Sequence, residues 1–238
     1  SVLGREFSHT WIQAVFDGDR ATLEAGLQAL CDADILVRDD TQSQYIFRHA
    51  LLRDAAYGSL LIRRRQQVHA RVAQLLESSW VETAQTHPEL VAHHFTEAGL
   101  PAQAIGYWQR AGLLAVERSA NTEAISHFGT ALQILRTLPE GADRDRQELV
   151  LLMGLGVPLS VTTSWAAPEV RAANERALEL CRSLGESSQL FRALFGVWSN
   201  LQVQADYRAA RPISEQLLTL ASHAQDDGLR LQAHRANG

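Results

Sequence analysis

The sequence predicts a mainly α protein in two parts: a small module carrying a β-hairpin, then an array of helices. Three observations carry this. Ala and Leu dominate the 238 residues, while Gly and Pro number only 15 and 6, a composition that favours helix. Two short β-prone runs, Ile35-Leu36-Val37 and Tyr45-Ile46-Phe47, lie near the start. Beyond them, apolar residues recur at helical spacing to the end, interrupted mostly by short linkers.

In chain order, Ser8 is a good N-cap for a short helix carrying Trp11, Ile12, Val15 and Phe16. Asp17-Gly18-Asp19 breaks it. A second helix places Leu23, Leu27, Leu30 and Cys31 on one face. The two β-prone runs then flank the polar stretch Asp39-Asp40-Thr41-Gln42-Ser43, which reads as a hairpin. Helix, helix, hairpin, helix is the order of a winged-helix module lacking its first helix. We assign residues 1–78 to this partial module and its connecting helix, and residues 79–238 to the array.

The stretch from Tyr45 to Leu61 joins the two parts. On a helix turning about 100° per residue, Phe47, Ala50, Leu51, Ala55, Tyr57, Gly58 and Leu61 share one sector, with Asp54 in its middle. Leu52, Ala56 and Leu60 form a second apolar strip among Arg48, His49 and Arg53. A helix apolar on two sides is expected to pack on two sides. Asp54 then needs an Arg or backbone N–H partner, because a lone buried carboxylate is costly. Arg63-Arg64-Arg65 follows and reads as a solvated helix junction rather than a phosphate contact. The next helix turns Val68, Val72, Leu75 and Leu76 to one face.

In the array, Pro88 opens a helix that Gly99 stops. Pro101 opens the next, running to about Ser119, and Asn121 caps another that ends near Leu138. Ala-Ile-x-x-aromatic-x-x-Ala occurs as Ala104-Ile105…Trp108…Ala111 and as Ala124-Ile125…Phe128…Ala131. Small residues around a large one let neighbouring helices interlock, the packing logic of helix-pair solenoids. Further helices are expected over Arg146 to about Leu159, from Pro168 to near Gly185, over Leu190–Val203 and Tyr207–Ala224, and from Gly228. A looser segment is expected over Ser160–Ala167. Pro212 is tolerable only in a first turn. Short linkers make consecutive helices antiparallel neighbours.

Charge and motifs exclude much chemistry. The net charge of −5 argues against a protein that grips nucleic-acid backbones. Cys31 and Cys181 sit beside apolar residues and read as reduced core thiols. No apolar run reaches transmembrane length and no basic-then-apolar leader opens the sequence, so a cytoplasmic location without membrane contact is expected. An opening without Met and an end in mid-pattern suggest a fragment of a longer chain. No phosphate loop, G-x-G-x-x-G, G-x-S-x-G or H-E-x-x-H motif occurs. His93, His94 and Glu97 lack a further ligand at metal spacing and read as packing or surface residues. Trp11, Trp80, Trp108, Trp165 and Trp198 read as core anchors.

Val2-Leu3-Gly4-Arg5-Glu6-Phe7-Ser8 and Tyr45-Ile46-Phe47-Arg48-His49-Ala50-Leu51-Leu52-Arg53-Asp54-Ala55-Ala56-Tyr57 resemble the end of the ATPase core in bacterial STAND-type predicted ATPases. Such ATPases are often fused to class III adenylate/guanylate cyclase or protein kinase domains. Pro88 to Gly99 and Ala120-Asn121-Thr122-Glu123-Ala124-Ile125 are similar to the tetratricopeptide-like (TPR-like) region that follows in those proteins. The resemblance covers essentially the whole chain. It implies a partial winged helix followed by a TPR-like α-solenoid, acting as a non-catalytic regulatory and protein-interaction segment. Arg48 to Asp54 looks like the Met-His-Asp-containing motif of NB-ARC proteins, which makes His49 the candidate contact to a nucleotide phosphate; the family's Asp is Ala50 here. ATP or ADP is implied for the parent protein and no cofactor for this segment, which by itself neither hydrolyses ATP nor binds it tightly. The implied partners are an upstream nucleotide-binding domain and an unidentified protein or small ligand on the array. The alternative is a segment of a STAND/LuxR-type ATP-dependent transcriptional regulator. The acidic chain, lacking a recognition helix rich in Arg, Asn and Gln, argues against direct DNA contact.

Overall fold

A computed structural model describes residues 2–39, 43–223 and 226–237, and its packing divides the chain into two compact units, residues 1–104 and 105–238. The sequence places the boundary at 78/79; packing places it within the helix that opens at Pro101.

The first unit runs β1 (Glu6–Ser8), α1 (His9–Val15), α2 (Arg20–Asp32), β2 (Leu36–Asp39), β3 (Gln44–Phe47), α3 (Ala50–Ser59), α4 (Ile62–Ser78), α5 (Val81–Thr86) and α6 (Pro88–Glu97). Ser8 caps α1, its hydroxyl accepting from the Trp11 amide at 3.1 Å. Asp19 caps α2 through the Thr22 amide at 2.9 Å. The hairpin forms as expected, with Leu36 opposite Phe47; residues 40–42 of its loop lie outside the described residues. A third strand joins it: β1 pairs with β3, giving an antiparallel sheet in the order β1-β3-β2. Phe7, Leu36, Tyr45 and Phe47 point from this sheet onto Leu23 and Leu27 of α2. Phe7 and Tyr45, cross-strand partners, stack with ring centroids 5.8 Å apart. Side chains alternate along a strand, so Tyr45 and Phe47 are buried while Ile46 is not.

The Arg triplet is structural in two of its members. Arg64 pairs with Asp17 at 3.2 Å, and Asp17 also pairs with Arg71, tying the α1–α2 loop to α4. Arg65 donates to the Leu60 carbonyl at 3.1 Å.

In the second unit, α7 (Pro101–Glu117, beginning in the first unit), α8 (Asn121–Leu135), α9 (Ala142–Thr162), α10 (Pro168–Leu184), α11 (Ser187–Val203), α12 (Tyr207–His223) and α13 (Asp227–Asn237) follow. From α9 onward each helix packs on its predecessor. Among the described residues the protein is mainly α, with one small sheet. The Pro starts at Pro88, Pro101 and Pro168 are as read. So are the stops at Gly99 and Gly185, whose φ of 71° and 69° is the left-handed turn glycine accommodates.

Ala120 rather than Asn121 occupies the N-cap of α8 and makes no side-chain cap bond. The looser segment begins late, because α9 continues through Pro158 to Thr162. Pro158 supplies no amide for the Gly154 carbonyl, but beyond it Ser160 and Thr162 donate to the carbonyls of Gly156 and Pro158. Likewise α12 runs through Pro212, so a proline outside the first turn is tolerated at the loss of one helical bond. The tryptophans are only partly buried. Trp11 and Trp80 stack with centroids 4.7 Å apart, whereas Trp165 is 37% exposed.

In the second copy of the Ala-aromatic pattern the aromatic ring is seated between helices, whereas Trp108 of the first copy is only partly buried. Phe128 is fully buried, with Ala124 and Ala131 beside it on α8. It lies against glycines of the flanking helices: a Cβ added at Gly112 of α7 or Gly154 of α9 would come within 2.7 Å or 2.6 Å of its ring. No helix of the described residues is long and apolar enough to cross a membrane.

Candidate functional site

The site is built around α3. After Phe47 the chain leaves the sheet, and His49 takes extended geometry (φ −127°, ψ 135°) as the N-cap. Helix therefore starts at Ala50, not at Phe47, where the two-sided apolar pattern begins. No residue of α3 is buried. Leu51 is 79% exposed, and Leu61 and Ile62 at the junction to α4 are 80% and 68% exposed. The expected burial on two sides is thus overturned: of the two strips only Phe47 is buried and Tyr57 and Leu60 are partly buried, while the rest is exposed. Asp54 is exposed too and pairs with its neighbour Arg53, so it needs no buried partner. His49 is exposed at the head of the helix.

The C-terminal half of α3 is held by a polar chain. Tyr57 places its hydroxyl 3.1 Å from Nε2 of His69 on α4 and 3.3 Å from Oε2 of Glu97 on α6. His69 Nδ1 lies 2.9 Å from Nδ1 of His94, also on α6. The imidazoles of His69 and His94 are almost wholly buried, at 1% and 3% exposure. His93 packs edge-on against both, and the Arg65 guanidinium sits 5.1 Å above the Tyr57 ring.

Proton inventory orients the chain. The Glu97 carboxylate only accepts, so Tyr57 donates to it. The Tyr57 oxygen then accepts from Nε2–H of His69. That tautomer leaves Nδ1 of His69 as an acceptor, and Nδ1–H of His94 donates to it. The result is one directed relay, His94 to His69 to Tyr57 to Glu97, across three helices. Burial, the largest cause, holds both imidazoles neutral at pH 7. It lowers His69 to about 4, against a partly opposing pull from Glu97, and lowers His94 to about 3, with His69 and His93 adding to the effect. Burial, then the Glu97 charge, raises Tyr57 above the ordinary phenol range.

The arrangement joins α3, α4 and α6 through side-chain hydrogen bonds. Among the described residues no group of three or more His, Cys, Asp or Glu is disposed to hold a metal ion. His94 is a packing residue, as expected, but in a network the sequence reading missed. Its partner His69 stands 25 positions earlier in the chain. The signal was present: His69 lies between Val68 and Val72, on the side of α4 predicted to be core, where a polar side chain must find a partner. Replacing Tyr57 with Phe would leave the buried Nε2–H of His69 without an acceptor, at a cost of about 1–3 kcal/mol. The expected result is faster amide exchange in α3, with the hairpin β2–β3 unchanged.

No protein-family model matches the chain. The chain is similar to an uncharacterised protein of Rhizobium meliloti, 25% identical over 244 residues, an alignment covering 98% of this chain. It spans 23% of that relative's length.

Proposed function

We propose that the chain is a non-catalytic regulatory and interaction segment of a large multidomain bacterial signalling ATPase of the cyclase- or kinase-fused type. In this reading a partial winged helix senses the nucleotide state of an upstream domain, and a TPR-like solenoid scaffold receives it. One observation carries the reading: α3 is exposed and apolar on one side and tied on another, through Tyr57, to both α4 and α6. A helix with an uncovered apolar side is suited to docking. A hydrogen-bonded relay of two neutral imidazoles and a phenol that ends on a carboxylate is suited to passing a change of packing onward. The length of the relative is in keeping with a segment that works inside a larger protein. His49, exposed at the start of α3, is the group offered to a nucleotide phosphate, to which an imidazole N–H can donate.

The test is hydrogen exchange on the full-length protein with ADP and with an ATP analogue, for the parent and for His49→Ala. ADP should protect α3, and His49→Ala should remove the difference between nucleotides. Equal exchange under both nucleotides would refute the sensing role.

A further inference from the structure

The second unit holds a cavity of about 350 Å³ among α9, α10, α11 and α13. That is the lower end of the range for small-molecule sites. Its walls are apolar and partly aromatic, with Met153, Trp165, Phe195 and Leu229 among them. Three polar side chains complete the lining without a hydrogen bond or ion pair to any described residue: Asn174, Arg192 and Gln232. The hydroxyl of Ser160, also in the lining, is already given to the Gly156 carbonyl at 2.7 Å. Arg192 is the one charged group in the lining, and no carboxylate faces it there. In a chain of net charge −5, this is a local positive spot with apolar walls.

The cavity is also built to stay open. The loop carrying Trp165 is pinned from α11, where Asn200, itself fully buried, donates to the Trp165 carbonyl at 2.6 Å, and Gln204 donates to the Ala166 carbonyl at 3.0 Å. Asn174 is seated against α11 where a side chain is absent: a Cβ at Gly196 would lie 2.6 Å from its Oδ1. A glycine there lets the amide reach the cavity without displacing the helix.

We propose that this cavity binds a small organic monoanion, a carboxylate on an aryl-sized apolar body. The carboxylate takes the two-pronged donor set of Arg192. The apolar body lies against Trp165 and Phe195, and the amides of Asn174 and Gln232 take the remaining polar edge. The volume suits one small molecule and not an extended peptide. This inference stands apart from the nucleotide-sensing reading, since it concerns only what the second unit binds.

The experiment is calorimetric titration with three probes of one shape: 4-phenylbutyrate, 4-phenylbutylamine and 4-phenylbutanol. The carboxylate should bind one per chain, quenching or shifting Trp165 emission, and should bind more tightly than the alcohol, with the amine weakest. Arg192→Gln, at an exposed position that leaves packing intact, should weaken the carboxylate about tenfold or more and leave the alcohol unchanged. Trp165→Ala should weaken carboxylate and alcohol alike. Equal affinity for carboxylate and amine, no binding of any probe, or carboxylate binding indifferent to Arg192→Gln would each overturn the proposal.

Discussion

Acidification from pH 7 to pH 5 should loosen the first unit, by on the order of a few kcal/mol shared between the paired rings of His69 and His94. The direction follows from the depressed folded values of about 4 and about 3. An unfolded histidine titrates near 6.5, so below that pH the unfolded chain binds protons the folded chain refuses. Stability is then fully present above about 6.5 and falls as pH drops toward 4. The measurement is amide protection in α4 and α6 across this pH range. His94→Leu should reduce the pH dependence. At pH 7 it should cost about 1–3 kcal/mol, because His69 Nδ1 loses its donor. A pH dependence identical in parent and variant would contradict the burial and pairing of these rings.

Phe128→Ala should destabilise the second unit by about 3–5 kcal/mol, the usual cost of emptying a fully packed aromatic site. The more discriminating variant is Gly154→Ala. Alanine is the better helix former by about 1 kcal/mol, so on propensity alone the change stabilises α9. The structure predicts the reverse, a loss of about 1–3 kcal/mol, because the new Cβ would meet the Phe128 ring at 2.6 Å. Gly112→Ala should behave the same from the α7 side, at 2.7 Å. With Phe128→Leu in the background the Gly154→Ala penalty should shrink. Urea unfolding over the full cycle measures that coupling. A stabilising Gly154→Ala in the parent would show that the ring is not seated between these helices.

Local signals made much of the fold legible. Ser8 is a cap whose side chain reaches the amide three residues on, whereas the break at Asp17-Gly18-Asp19 hid the cap that Asp19 supplies to α2. Pro88, Pro101 and Pro168 open helices because a first turn needs no amide hydrogen there. The pairing of Ala124 and Ala131 around Phe128 marked a close helix contact. The misses share a different cause: they depend on what lies far along the chain. Strand β1 has three residues and forms only because β3 offers it an edge. The apolar strips of α3 showed that apolar surface exists, but periodicity carries no information on whether anything covers it. In the candidate site, His49 was visible as a motif residue. The relay of Tyr57, His69, His94 and Glu97 was not, because it assembles from three helices whose packing sets the contacts.

The central claim is that α3 reports a nucleotide state to α6 through Tyr57. The most direct measurement is hydrogen exchange of the full-length protein in ADP and in an ATP analogue, read at both α3 and α6, for the parent and for Tyr57→Phe. The account predicts that both helices change together in the parent, and that α3 still responds while α6 falls silent in Tyr57→Phe. An α6 response that persists without the Tyr57 hydroxyl, or an α3 indifferent to nucleotide, would contradict it.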